Sequence, residues 1–185
     1  RRGSVCITGP HGGGKTCAVE ALALRIAKGE AHPLLRNTRV LALSASSLVA
    51  GTQFRGQFSE RIDGLLKVLK EQRKTVLFVD EMHVLVGLGR VHGDSYDTAN
   101  ALKTALDAHD IRLIGATTDA EYVRYVMKDP AFARRLERVR MQPLAGEALA
   151  TVIRAQVATL ADRHAVVIQE PAWREAVRLA DRYLV

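Results

Sequence analysis

Residues 9–16 read Gly9-Pro10-His11-Gly12-Gly13-Gly14-Lys15-Thr16, and this stretch decides the fold class. It fits G-x-x-x-x-G-K-[ST] in full, with a β-rich run, Ser4–Thr8, before it and a helical pattern after it. Glycines let the backbone wrap an anion and turn several N–H groups inward. A helix that starts at once adds its positive N-terminal end. In such a cradle Lys15 reaches the β- and γ-phosphates of a nucleotide, and the Thr16 hydroxyl ligates Mg²⁺. The bland alternative is a glycine-rich turn with a chance Lys-Thr, and the flanking strand and helix speak against it. His11 reads as an incidental or structural loop residue. The nucleotide-contacting set is therefore Gly9, Pro10, His11, Gly12, Gly13, Gly14, Lys15, Thr16 and the adjoining Cys17.

Outward from the loop, strands and helices alternate. After the helix of about residues 15–28, a strand is expected within 37–44 (VLALS) and a helix over 57–71 with Phe58, Ile62, Leu65, Leu66 and Leu69 as its stripe. The continuous apolar run TVLFVD (75–80) reads as a strand buried on both faces. A helix over 98–108, a strand over 111–116, a helix over 119–127 and a last strand over 139–141 follow. This rhythm implies a mainly parallel sheet covered by helices, with ligands at the carboxyl ends of the strands. After Pro143 two helical patterns, 146–164 and 171–184, stand without a strand. The expected division is a large α/β nucleotide-binding subdomain over 1–142 and the start of a helical subdomain over 143–185, incomplete because the pattern is still running at Val185.

Asp80-Glu81 closes the run VLFVD. An acid at the tip of such a strand faces the Mg²⁺ of a phosphate-loop enzyme, which suits Asp80, and Glu81 is then placed to polarise the attacking water. A pair of solvated acids at a helix start is the alternative. The strand over 111–116 leads into Thr117-Thr118. Either hydroxyl can touch the γ-phosphate or the water if this strand lies between the other two. Either can instead cap a helix whose first turn holds Asp119 and Glu121. Arg134-Arg135 reads as a solvated face or as a group that stabilises phosphoryl charge in a neighbouring subunit. Phe54, with Arg55, sits in the glycine-bounded loop 51–56, outside the helical stripe. It is a buried aromatic or an exposed contact. A second glycine-bounded loop is expected over 87–93; its His has no ligand-like spacing with Cys, so no zinc site is expected.

Composition bounds the rest. Of 185 residues, 48% are hydrophobic, 25% charged and 5% aromatic, so the core is expected to be aliphatic and the class globular. The net charge of +7 invites an anionic partner. It is uneven: residues 1–40 hold seven basic against two acidic side chains, whereas 81–120 hold three against six. No basic tail and no basic stripe interleaved with aromatics occur, which weighs against nucleic acid. Cys6 and Cys17 cannot form a disulfide framework; two reduced, mostly packed thiols in a cytoplasmic protein are expected. No apolar run approaches membrane-spanning length, so no membrane partner is expected.

Together, GPHGGGKT, AGTQFRGQFSERI, VLFVDEMHVLVGLG, IGATTDAEYVRYVMKDPAFARRLERV and HAVVIQEPAWREAVRLADRYL resemble the AAA+ ATPases, specifically the first ATPase ring of the Clp unfoldases and disaggregases. The first segment is generic to phosphate-loop proteins; the second, third and fourth are specific to Clp chaperones. The resemblance implies a P-loop NTPase fold, ATP/ADP and Mg²⁺ as cofactors, a polypeptide substrate and a homo-oligomeric, hexameric ring. It implies Lys15 and Thr16 as the Walker A pair, Asp80 and Glu81 as the Walker B pair, Thr118 as sensor 1 and Arg134 and Arg135 as paired arginine fingers. Phe54 takes the place of the pore-loop aromatic. The sequence departs from the family pattern at His11 and Gly13, and the family's further domains are not in this chain. The implied function is ATP-driven remodelling of proteins. Alternatives are a nucleic-acid motor of the same class and a non-catalytic nucleotide-binding assembly module; the intact Asp80-Glu81 pair speaks against the latter.

Overall fold

Five short runs become strands in the computed structural model, which describes residues 3–44, 55–72, 74–88, 98–108 and 110–184. They are β1 (Val5–Thr8), β2 (Arg39–Ser44), β3 (Thr75–Asp80), β4 (Arg112–Thr117) and β5 (Glu137–Arg140). All four pairings are parallel, in the order β2-β3-β4-β1-β5. Parallel neighbours need long crossovers, which the helices between the strands supply. β4 thus lies between β3 and β1, and Thr8 pairs with Thr117 at their carboxyl ends.

Alternation along β3 divides the core into two layers. Leu77 and Val79 face the larger cluster, with Ile62, Leu66, Leu69, Leu113 and Phe132. Phe78 faces the other side and packs with Val19 and Ala116. The Lys15–Ala27 helix, whose Val19 is 3% exposed, therefore covers one face. The Arg55–Glu71 helix covers the other with Ile62, Leu66 and Leu69, and Leu65 packs partly buried beside them. These are four of the five residues of the expected stripe, and the side chain of the fifth, Phe58, lies outside the described residues. The expected α/β architecture, a parallel sheet covered by helices, is what the chain forms.

Boundaries differ from expectation where tertiary contacts outweigh local pattern. Residues Met82–Leu88 form a helix directly after β3, so Gly87 and Leu88 belong to it and not to a loop. The rest of that expected loop lies outside the described residues. The segment expected to be helical over 119–127 is one α-turn, Asp119–Glu121, continued by a π-helical turn, Tyr122–Val126. The last strand begins at Glu137, two residues early, because ladder bonds to β1 define it; all four of its residues are exposed, so no apolar run announces it. Cys6 is fully buried and burial pushes its thiol up to about 12, whereas Cys17 is exposed, not packed.

The chain divides into two compact units, Arg1–Pro143 and Leu144–Val185. The second is a pair of helices, Gly146–His164 and Glu170–Tyr183, joined through Ala165 in the left-handed conformation (φ 51°). Trp173 (7% exposed) anchors it, with the Arg174 guanidinium 4.8 Å from the ring. Among the described residues no helix is long and apolar enough to cross a membrane.

Phe132 is fully buried in the larger cluster. Phe132→Ala is expected to cost about 3–5 kcal/mol, and Val167→Ala, at a 91% exposed position, within about 0.5 kcal/mol. Urea titration followed by far-ultraviolet circular dichroism checks both.

Candidate functional site

The glycine loop leaves β1 and enters the Lys15–Ala27 helix without a spacer. Gly12 (φ 67°) and Gly14 (φ 79°) both lie in the left-handed region, where a Cβ is strained. Gly14 is the N-cap and has no side chain to satisfy the first-turn amides, which remain available to an anion. Within the loop the Gly13 amide donates to Pro10 O at 3.2 Å. The Lys15 ammonium lies back across it, donating to Pro10 O at 2.7 Å and Gly9 O at 3.1 Å. His11 is exposed, and Cys17, the third residue of the helix, is exposed too.

The strand order brings Asp80 to this loop. Thr16 Oγ1 donates to Asp80 Oδ2 at 2.8 Å across 64 residues of sequence. A hydroxyl and a carboxylate oxygen form a hard donor pair that suits Mg²⁺, which takes few protein ligands and completes its shell with phosphate and water. Among the described residues no cluster of three or more His, Cys, Asp or Glu side chains is placed to hold a metal ion. Glu81 follows with φ 52°, an unusual conformation for a residue with a Cβ. Asp80 Oδ1 accepts the Glu81 amide at 3.0 Å and supports it. Met82, 1% exposed, then drops onto Gly115 of β4, where any Cβ would overlap its sulfur. Glu81 is thus exposed at a strained corner fixed on both sides.

At the end of β4 the two threonines take different tasks. Thr118 is the N-cap of the following turn: its hydroxyl accepts the Glu121 amide (3.2 Å) while Glu121 Oε2 accepts the Thr118 amide (3.0 Å), a complete capping box. Thr117, 3% exposed, donates to Glu121 Oε2 at 2.9 Å. Its one proton being used there, it accepts from His83 Nδ1 at 3.2 Å, so the ring carries its proton on Nδ1. The same nitrogen lies 3.2 Å from Glu121 Oε2. Burial opposes the charge on Glu121, but the Thr118 and Thr117 hydrogen bonds and the His83 ring outweigh it and hold the carboxyl at about 2. Neither His83 nor Glu121 was a site candidate from sequence. The T-x-x-E spacing signals the cap, but nothing local signals that His83, 34 residues before Thr117, meets it.

The adjacent arginines also differ. Arg135 forks onto the Asp107 carboxylate and donates to Ala131 O. Arg134 is exposed, and its Nε donates to Pro130 O at 3.1 Å, which leaves its terminal nitrogens without a partner among the described residues. The segment carrying both is pinned again by Lys103 to Asp129 at 2.8 Å, and Asp129 caps the Phe132 amide. Phe54 lies outside the described residues; Arg55 begins the Arg55–Glu71 helix, its side chain likewise outside them.

A family model described as "ATPase family associated with various cellular activities (AAA)" matches residues 5–144. The chain is 39% identical over 178 residues to the chaperone protein ClpB of Aquifex aeolicus, covering 96% of this chain and 18% of that protein. It is 41% identical over 179 residues to the ClpB of Vibrio cholerae, covering 96% of this chain and 21% of that one. Among solved structures, Hsp104 with ATPγS and FITC casein in a closed state superposes with a TM-score of 0.86 at 35% identity, over 100% of this chain and 31% of that one. The ADP complex of Saccharomyces cerevisiae Hsp104 gives 0.84 at 35% identity, over 98% of this chain and 30% of that one. The chain therefore spans about a fifth of the length of these curated relatives.

The depressed carboxyl of Glu121 has a signed consequence for stability. Its ionised form is favoured in the folded state, so its contribution is complete above the ordinary value of 4.5 and is lost as pH falls toward about 2. Glu121→Gln is expected to lower the urea midpoint at pH 7, and the gap from the parent is expected to narrow steadily between pH 4.5 and 2.5. Midpoints measured across that range check it.

Proposed function

Because this chain belongs to the AAA ATPase family, we propose that it is the ATP-binding and ATP-hydrolysing module of a Clp-type protein-remodelling machine. The observation that carries this reading is the 2.8 Å contact between Thr16 and Asp80. It joins the helix of the phosphate loop to the acidic strand tip and leaves Glu81 one residue beyond. Its relatives are ClpB chaperones, and the similar Hsp104 structures were solved with ATPγS and with casein.

In this reading the loop amides of 12–16 and the Lys15 ammonium hold the β- and γ-phosphates. Thr16 and Asp80 would hold Mg²⁺, which would supply neutralisation of phosphate charge. Glu81 accepts a proton from the attacking water, for which an exposed carboxylate beside the phosphate site is suited. Thr118, at the exit of β4, senses the γ-phosphate while its side chain also caps the next turn. Arg134 serves the nucleotide of the next subunit in a homo-oligomeric ring. Its exposed terminal nitrogens favour it over Arg135, which is committed to Asp107 and fixes the direction from which Arg134 projects. Phe54 and Arg55 contact the substrate polypeptide. The assembly acts in the cytoplasm, and the remodelling of polypeptides follows from coupling the Phe54 loop to the nucleotide cycle.

Two variants test the assignment in the full-length protein, with any second ATPase ring silenced. Glu81→Gln is expected to retain ATP binding while turnover falls by about 10²–10⁴-fold; unimpaired hydrolysis sinks the assignment. Arg134→Ala is expected to abolish assembly-dependent turnover while the unassembled chain still binds nucleotide. Arg135→Ala is expected to lower thermal stability as well as turnover. Steady-state phosphate release, paired with melting curves, separates the two arginines.

A further inference from the structure

β5 flanks β1 on the side away from β3 and β4, and two of its arginines reach toward the nucleotide loop. Arg138 pairs in register with Cys6, and Arg140 with Thr8; alternation puts both side chains on one face. Arg138 Nε donates to Thr8 Oγ1 at 3.1 Å, and its Nη2 donates to Asp119 Oδ1 at 2.6 Å. The guanidinium also lies 4.5 Å from the ring of Tyr122, which is 6% exposed. Arg140 Nε reaches the other oxygen, Asp119 Oδ2, at 3.3 Å, from a side chain that is 70% exposed. The Thr8 hydroxyl and the Arg138 guanidinium are the leading influences that hold the Asp119 carboxyl below the ordinary carboxylate range.

The positions of these partners give the cluster its meaning. Thr8 is fully buried and is the last residue before Gly9. Asp119 is the first residue after Thr118. The β1–β4 ladder ends at Thr8 and Thr117, so Gly9 and Thr118 both lie just past the last rung, where the sheet no longer holds them. One planar group spans that gap. Arg can donate to a hydroxyl and a carboxylate at once while stacked on an aromatic ring, whereas a lysine ammonium is a single point charge on a flexible stem.

We propose that Arg138 is a positioning residue of the nucleotide site: with Asp119 it clamps the Thr8–Gly9 junction to the Thr118–Asp119 turn. The phosphate loop and the γ-phosphate-facing threonine then keep one mutual geometry through the nucleotide cycle. Arg140 adds charge to the clamp but does not set its geometry. The proposal rests on the nucleotide-site reading above, and its test is separable from that reading.

The test is amide hydrogen exchange over residues 9–16 and 117–122, measured first on the nucleotide-free protein. Arg138→Met and Asp119→Asn are each expected to speed exchange in both segments by about tenfold, the equivalent of one lost charged hydrogen bond. The helices over 146–183 should be unaffected. Arg138→Lys should recover only part of the protection, the Arg138→Met/Asp119→Asn double variant should be no worse than either single one, and Arg140→Met should stay within about twofold of the parent. In steady-state turnover Arg138→Met should lower kcat by about tenfold while KM changes less than about threefold. Unchanged exchange in both segments, or an equal effect from Arg140→Met, overturns the clamp. Should Arg138→Met fail to fold, Asp119→Asn, nearly the same size, reads the same prediction. Wild-type protein that gains no protection from MgATPγS counts against the nucleotide site instead, because the nucleotide-free comparison stands without it.

Discussion

The hydrogen bond between Thr16 and Asp80 is the contact on which the rest of the site depends. It exists only because β3, β4 and β1 run parallel and adjacent, so their carboxyl ends come out on one edge of the sheet. A parallel sheet places every strand exit on the same side, and the polar residues that would destabilise a strand interior collect there. Thr8, Asp80 and Thr117 are such exits. Each is followed at once by a residue for which a task at the site is proposed: Gly9, Glu81 and Thr118.

Rigidity at that edge comes from small and specific devices. Gly115 yields the space into which Met82 packs, and this fixes the corner at Glu81. Glu121 gathers the Thr117 hydroxyl, the Thr118 amide and the His83 ring on one carboxylate, which ties the helix after β3 to the turn after β4. Lys103–Asp129 and Arg135–Asp107 tie the arginine-bearing segment to the Thr98–Asp107 helix. Each partly buried charge is met by an opposite charge or by hydrogen bonds, as partial desolvation demands.

The excess positive charge acquires a location in this picture. Lys15 stands in the phosphate loop. Arg138 and Arg140 share Asp119 beside it, and Arg134 is exposed near the end of the first unit. The acidic stretch over 81–120 supplies Asp119, which Arg138 and Arg140 share, and Asp107, which Arg135 grips. The net charge of +7 therefore reflects, in part, an anion site and the groups that frame it, while helix surfaces carry balanced pairs such as Arg178–Glu175.

Sequence alone determined the local parts: the phosphate loop, the buried apolar run that ends in Asp80-Glu81, and the alternation that makes a parallel α/β sheet. These are legible because backbone conformation and burial on both faces constrain residue type over a few consecutive positions. Strand β5, the π-helical turn and the helix over Met82–Leu88 were not legible in full, because pairing with distant residues outweighs a weak local pattern there. Sequence likewise could not divide the tasks of Thr117 and Thr118 or of Arg134 and Arg135, since neighbours in a chain look alike until their partners are known. Tertiary structure gave these neighbours different partners by bringing His83 to Thr117, Asp107 to Arg135 and Arg138 to Asp119. A side chain's role is set by which charge or hydroxyl it meets at about 3 Å, and that distance is a property of the fold.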